Sequence, residues 1–322
     1  MSQSEQKLVA GVDSSTQSVK LVIRNAVTGE LVRSGRASHP EGTEVNPTLW
    51  AAALDQAIAA AGGISDVSAI AIGGQQHGMV ALDNNGALVR DALLWNDTRS
   101  AQAAKDLNRE LGGDAETARK VGSVLVASFT ASKLRWLADH EPENAKRVAA
   151  VALPHDWLSW QLQGGKDFEK LFTDRSDASG TGYFSASSNE YQRDLLAIAL
   201  RDKREIALPK IAAFDDFAAT TTDGIPIAPG AGDNAGAAFD SIVMDDDVRD
   251  TLIDLFGNIA KNGDDPNGDA KNLLGLLESV RDADGNEFSE VLYQTITNAE
   301  FDQLFDRMKD LDDTPERAAL IG

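Results

Sequence analysis

The first 40 residues alternate short apolar segments with polar turns, and this pattern predicts three β-strands in a meander. The strand segments are LVAGVD, VKLVIRN and LVRSGRA, and the turns between them are SSTQS and TGE. The next segment, NPTLWAAALDQAIAAAG, has helical periodicity, with Asn46 as the predicted N-cap and Pro47 at the first helical position. The apolar run VSAIAIGG then predicts a strand that is buried on both faces.

The pattern changes after this strand from extended to mainly helical. MVALDNNGALV predicts a hairpin with Asn85 and Gly86 in its turn. Helical periodicity follows in RSAQAAKDLNREL, FTASKLRWLADHEPENAKRV and YQRDLLAIALRD, whereas VAAVALPHDWLSWQLQG passes from strand to helix. TDRSDASGTGYFS is interpreted as a polar loop. Together these elements predict an α/β fold with a mixed sheet.

Composition and charge narrow the class of protein. The 322 residues include 51 acidic and 30 basic side chains, and the net charge of −21 argues against nucleic acid or an anionic membrane as a partner. Cysteine is absent, which excludes disulfides and thiolate catalysis. The sequence shows no signal peptide and no apolar run long enough to span a bilayer, so we expect a cytoplasmic protein. The sequence is compatible with a homodimer but does not determine the oligomeric state.

The segment GVDSSTQSVK places an aspartate at the end of a predicted strand and hydroxyl groups in the turn that follows. The backbone N–H groups and the hydroxyls of Ser14, Ser15 and Thr16 can hold phosphate oxygens. Asp13 can hold Mg²⁺, mainly through water. An ordinary polar hairpin would show the same pattern and is the alternative.

The segment GGQQHG joins two predicted strands. Its glycines allow close approach of the backbone, and Gln76 and His77 offer donors and acceptors to a neutral polyol. The alternative is a histidine that caps the end of a strand.

Two further segments place aromatic or acidic residues at predicted strand ends. In LLWNDTR, Trp95 can pack against a ligand, and Asp97 is interpreted as the cap of a helix that begins near Arg99. In TDRSDASGTGYF, Asp174 and Asp177 have the pattern of paired carboxylates that bind metal or transfer protons. A loop in which these side chains bond their own backbone explains the pair better.

The segment PGAGDNAGAA places Asp233 and Asn234 at the apex of a glycine turn in front of a small-residue helix. A carboxylate at a helix N-terminus stays ionised and can take a proton from a hydroxyl, although a plain N-cap looks the same. All five motifs end a predicted strand, and ligands collect at strand ends in open α/β sheets. We therefore expect Asp13, His77 and Asp233 around one cleft, suited to phosphoryl transfer to a sugar hydroxyl.

These segments, in this order and spacing, resemble the FGGY carbohydrate kinases over about residues 7 to 238, and in particular the members that act on D-xylulose. The motifs that carry the resemblance are GVDSSTQSVK, GGQQHGMVALD, LLWNDTR, FTASKLRWL, SDASGTGYF and GAGDNAG. The resemblance implies an actin-like ATPase fold of the ribonuclease H-like type. It also implies ATP-dependent phosphorylation of D-xylulose to D-xylulose 5-phosphate, with Mg²⁺ as cofactor.

The same resemblance assigns roles to individual residues. It implies that Asp233 is the catalytic base that deprotonates the sugar hydroxyl. The candidate sugar contacts are Gln76, His77, Trp95 and Asn234, and the candidate ATP contacts are Asp13, Ser14, Ser15 and Thr16, with Asp13 also at the metal.

The chain from about Ser241 has a different character. Residues 241–322 carry 20 acidic and 7 basic side chains, and their apolar stripes predict three or four short amphipathic helices. We therefore expect a sugar-binding domain over residues 7–240 and an acidic, mainly helical tail of unknown role over residues 241–322. The second phosphate hairpin and the adenosine-binding segment of the FGGY kinases have no counterpart in this tail. A non-catalytic sugar-binding module is accordingly the alternative function.

Overall fold

The structure, a computed structural model, describes residues 7–213 and 217–233. Its strands are β1 (Leu8–Ser14), β2 (Ser18–Asn25), β3 (Leu31–Ser38), β4 (Glu44–Val45), β5 (Val67–Gly74), β6 (Val80–Leu82), β7 (Ala92–Leu93), β8 (Ala150–Ala152), β9 (Phe172–Thr173), β10 (Phe184–Ser185), β11 (Glu190–Tyr191), β12 (Lys210–Ile211), β13 (Ala219–Thr220), β14 (Pro226–Ile227) and β15 (Ala231–Gly232). Its helices are α1 (Pro47–Ala60), α2 (Ala101–Glu110), α3 (Asp114–Val121), α4 (Thr130–His140), α5 (Pro142–Arg147), α6 (Pro154–Leu162), α7 (Arg175–Ser179) and α8 (Arg193–Leu200), with a 3₁₀ turn at Phe168–Lys170.

None of the helices within this part of the chain is long and apolar enough to cross a membrane. The predicted boundary after residue 240 and the predicted helices of the tail lie outside the described residues.

The predicted meander forms one side of a mixed sheet. β1 pairs antiparallel with β2 along its whole length, and β2 pairs antiparallel with β3. On its other side β1 pairs in parallel with β5, the strand predicted from the apolar run. The sheet order is β13-β14-β5-β1-β2-β3, and β15 also pairs in parallel with β5. Because β1, β5 and β15 run in the same direction, their carboxyl ends lie at one edge of the sheet.

Helix α1 packs against β2 and β3. Its N-terminus is as predicted, since the Asn46 side chain accepts a hydrogen bond from the Thr48 N–H at 3.0 Å and Pro47 occupies the first position. The helix approaches β3 closely at Gly35. A Cβ atom there would lie 2.8 Å from the Ala61 nitrogen and would overlap the Ala57 carbonyl oxygen. The lack of a side chain at Gly35 therefore sets the distance between helix and sheet.

Two apolar clusters stabilise this arrangement. One lies between the sheet and its covering helices and includes Leu21, Trp50 and Ile72. The second is built mainly by α4, α8 and their neighbours, with Leu134 and Leu195 fully buried. Burial of this apolar surface is the main favourable term in the folding of such a domain.

Several predicted elements differ from those observed. The segment TDRSDASGTGYF is not only a loop, because it contains α7, which the Asp174 side chain caps by accepting from the Ser176 N–H at 2.6 Å. Helix α2 begins at Ala101, close to the predicted start near Arg99, but the residue at its N-cap is Ser100 and not Asp97. Asp97 instead accepts from the Arg99 N–H at 3.0 Å in the turn before the helix. The sequence pattern had also given no indication of α3.

The predicted hairpin at Asn85 and Gly86 is present as a turn, but its first strand has another main partner. The turn closes through the Asp83 N–H and the Ala87 carbonyl at 2.8 Å. β6 pairs over all three of its residues with β8, some 70 residues later. Pairing between distant segments leaves no local signal in the sequence, which is why it was not predicted.

We expect Gly35→Ala to lower the free energy of unfolding by about 3 kcal/mol, at the upper end of the cost of overpacking, because the new methyl group meets helix backbone that cannot rotate away. Urea unfolding followed by circular dichroism measures this difference. Gly11→Ala in β1 is the matched control, since its Cβ would meet only the Val22 side chain at 3.6 Å. Equal stability of the two variants would contradict the prediction.

Candidate functional site

Three of the motifs meet where β1, β5 and β15 end. Gly74, the last residue of β5, lies opposite Ser14 of β1 on one side and opposite Gly232 of β15 on the other. Asp13 precedes Ser14, and Asp233 directly follows Gly232. The glutamine–histidine turn starts immediately after β5. The parallel register therefore brings all three segments to the same edge of the sheet, whereas Asn234 lies outside the described residues.

The end of β1 and the turn after it expose a carboxylate and two neighbouring hydroxyls. Asp13 is exposed, and the Ser15 hydroxyl donates to its Oδ1 at 2.5 Å. The Trp95 Nε1–H donates to Thr16 Oγ1 at 2.9 Å, so the half-exposed indole lies beside this hairpin. Ser14 is buried, with 1% of its surface exposed. An exposed carboxylate among hydroxyl oxygens fits Mg²⁺, which takes one or two carboxylates and keeps several waters.

The turn after β5 is held by the segment that contains α7. The Gln76 Nε2–H donates to the Ser176 carbonyl at 3.3 Å, and His77 Nδ1 lies 2.8 Å from the Gly180 carbonyl oxygen. The His77 ring also packs against Phe129, with 5.0 Å between ring centroids. Its backbone has a φ of +67°, a left-handed conformation that is uncommon outside glycine. The contacts of the two side chains therefore hold this turn in its left-handed conformation.

The His77 imidazole is neutral at physiological pH. Burial lowers its pKa to about 4. The hydrogen bond to Gly180 opposes this shift, and the charge of Lys133 adds to it. A carbonyl oxygen can only accept, so Nδ1 carries the proton and Nε2 is left as an acceptor. A neutral ring with one acceptor nitrogen suits a hydroxyl group better than an anion.

A buried histidine surrounded by aspartates packs against the same strand end, and none of the sequence motifs above predicts it. His155, in the first turn of α6, is fully buried, and its Cβ lies close to Gly74. Its Nε2 lies 2.8 Å from Asp177 Oδ2, 3.2 Å from Asp174 Oδ1 and 3.5 Å from Asp156 Oδ1. The available signal was the pair of residues His155 and Asp156 directly after the strand predicted in VAAVALPHDWLSWQLQG.

The charges of this cluster depend on one another. Burial by itself lowers the pKa of His155, but the carboxylates of Asp177 and Asp156 raise it well above the usual value. Burial raises the pKa of Asp177, and the negative charges of Asp174 and Asp233 add to that shift. A protonated His155 therefore compensates the buried carboxylates, and the charge of Asp233 acts on one of them, Asp177.

The donor set of the cluster is also that of a metal site. His155, Asp174 and Asp177 each offer one ligand atom, and these atoms lie within 4.8 Å of one another. However, the Nε2–H of a protonated His155 is aligned for a hydrogen bond to Asp174 Oδ1 at 3.2 Å, whereas Asp177 Oδ2, 2.8 Å from Nε2, forms an ion pair with the ring without a hydrogen bond. The ring proton therefore satisfies Asp174, and the positive charge of the ring offsets Asp177, whose two carboxylate oxygens have no hydrogen-bond partner among the described residues.

Comparison with known proteins places residues 8–240 in the FGGY family of carbohydrate kinases, N-terminal domain. The chain is 44% identical to a xylulose kinase of Streptomyces coelicolor over 251 residues, covering 74% of this chain and 51% of that protein. It is 43% identical to a xylulose kinase of Streptomyces rubiginosus, with the same coverage. The chain thus spans about half the length of these curated relatives.

A solved structure shows the same fold. The crystal structure of xylulose kinase from Bifidobacterium adolescentis is 46% identical to this chain, with a TM-score of 0.72, and the match covers 74% of this chain and 56% of that one. This similarity confirms the predicted fold class, an α/β actin-like ATPase domain of the ribonuclease H-like type with a mixed sheet.

We expect the His77 ring to titrate near pH 4 in an NMR experiment, far below the usual 6.5, with His77→Gln identifying its signal. The unfolded chain binds this proton more readily than the folded chain. The contribution of His77 to the free energy of unfolding should therefore be complete above about pH 6.5 and fall as the pH decreases toward 4. A midpoint near 6.5 in the folded protein would contradict burial of the ring.

Proposed function

The chain belongs to the FGGY family of carbohydrate kinases, and on that premise we propose that it transfers the γ-phosphoryl group of ATP to D-xylulose, giving D-xylulose 5-phosphate. The observation that carries this proposal is the convergence of three segments at one strand edge. These are the hairpin at Asp13, the turn at Gln76 and His77, and the segment that ends in Asp233. The xylulose kinases that this chain resembles support the choice of sugar.

The sugar would bind at the turn after β5. Gln76 can orient a hydroxyl through its amide, and the neutral His77 can accept a hydrogen bond through Nε2. Trp95 lies on the hairpin side of the site, where its exposed face can cover an apolar side of the ligand. Asn234, next in the chain after Asp233, is proposed as a further sugar contact. These residues would bind and orient the sugar. Such positioning accounts for much of the rate enhancement in enzymatic phosphoryl transfer.

Asp233 is proposed as the general base. It takes the proton of the sugar's 5-hydroxyl while that oxygen bonds to the γ-phosphorus of ATP, and the bond from phosphorus to the ADP oxygen breaks. Ser15 and Thr16 offer hydroxyls to the phosphate oxygens, as do the backbone N–H groups of the hairpin. Asp13 would hold Mg²⁺, which supplies positive charge against the phosphates when it is bound.

We expect Asp233→Asn to lower the turnover of D-xylulose at least about 100-fold in a coupled assay that follows ADP release, because the amide cannot take the hydroxyl proton. The shape of the side chain is kept, so the affinity for D-xylulose measured by calorimetry should change little. Asp223→Asn, at an exposed aspartate in the turn between β13 and β14, is the matched control and should retain wild-type turnover.

Three results would count against parts of this proposal. Turnover that survives in Asp233→Asn would remove Asp233 as the base. Binding of D-xylulose by the wild-type chain without ATP-dependent turnover would favour the non-catalytic sugar-binding module. Absence of any D-xylulose binding, with turnover of another sugar, would leave the kinase but reject the substrate.

A further inference from the structure

Ser176, in the first turn of α7, contacts two segments of the proposed site at once. Its hydroxyl oxygen accepts a hydrogen bond from the Gly232 N–H at 3.1 Å, one residue before Asp233. Its carbonyl oxygen accepts from the Gln76 amide at 3.3 Å. One residue therefore binds the backbone that presents the proposed base and the side chain proposed to orient the sugar.

The direction of the Ser176 hydroxyl is determined by its other partner. Asp174 Oδ2 accepts from both the N–H, at 2.6 Å, and the hydroxyl of Ser176. A hydroxyl has one proton, and here that proton is committed to Asp174, so a lone pair faces the Gly232 N–H. The other oxygen of Asp174 lies 3.2 Å from the protonated ring of His155. The buried ion pair thus holds the carboxylate, and the carboxylate holds Ser176.

The segment before Asp233 needs such support. β15 has only two residues, paired with Gly73 and Gly74 of β5. Gly232 also packs directly against Gln76, since a Cβ at Gly232 would lie 2.5 Å from Gln76 Nε2. A small shift of either group would therefore displace the other, unless both are held by a common partner.

We propose that Ser176 is a positioning residue that holds the Gln76 amide and the backbone preceding Asp233 in one fixed arrangement. The inference rests on the proposed function for the roles of Gln76 and Asp233. The contacts of Ser176 are independent of those roles. This separation allows the two claims to be tested apart.

The test uses the full chain with three substitutions. Ser176→Ala removes the acceptor for the Gly232 N–H but keeps the backbone N–H and carbonyl of residue 176. Ser176→Thr keeps the hydroxyl and is the rescue variant. Ser185→Ala is the matched control, because it removes a hydroxyl outside the site, one that lies 3.0 Å from the hydroxyl of Ser187.

Two quantities are measured for each variant: the hydrogen exchange rate of the Gly232 amide by NMR, and the dissociation constant for D-xylulose by calorimetry. In Ser176→Ala we expect exchange at Gly232 to be about tenfold faster and D-xylulose binding to be about tenfold weaker, the effect of one lost hydrogen bond. Ser176→Thr and Ser185→Ala should stay within about twofold of wild type in both. Rescue by threonine separates positioning from a general loss of stability.

The outcomes distinguish this inference from the proposed function. A wild-type chain that binds D-xylulose, with Ser176→Ala unchanged in both quantities, would overturn the positioning role alone. A wild-type chain that binds no D-xylulose would contradict the proposed function, and the exchange rates at Gly232 would then decide on Ser176 without the sugar. If Ser176→Ala fails to fold, an unprotected Gly232 amide in the wild type would overturn the inference, and a protected one would support it.

Discussion

Parallel pairing around β5 is the constraint on which the site depends. The strand takes β1 on one side and β15 on the other, so three chain segments from distant parts of the sequence end side by side. Gly73 and Gly74 allow this crowding, because a Cβ at Gly74 would lie 3.1 Å from the Cβ of His155 and 3.3 Å from the Ser14 carbonyl. A slip of one residue in either ladder would turn the following side chains to the opposite face of the sheet.

A buried charge cluster then links the strand ends to the segment around α7. Several carboxylates without a counter-ion would be costly in this interior, since each loses its hydration. His155 supplies the compensating charge, and Asp174 divides its oxygens between that ring and the N-terminus of α7. The Asp174 carboxylate thus both pairs with the charged His155 ring and caps α7. The position of α7 in turn fixes the partners of Gln76 and His77.

Much of the fold could be predicted from local patterns. The meander, the Asn46 cap with Pro47, and the apolar strand β5 were all recognisable, because their hydrogen bonds and burial involve neighbouring residues. The role of Asp97 in the turn before α2, the existence of α7 and the pairing of β6 with β8 were not. In each of these cases the deciding contact comes from a distant segment, or a short polar helix gives no periodic signal.

The fold class, the family and most of the polar residues at the strand ends, though not His155, are recognisable from the amino-acid sequence, because each motif is contiguous. How those residues act together follows from the packing of the folded chain. The neutral state of His77 follows from burial, and the compensating charge of His155 follows from three aspartates that approach one ring nitrogen. Burial and distance between remote residues are properties of the packed chain, so the order of the residues alone does not reveal them.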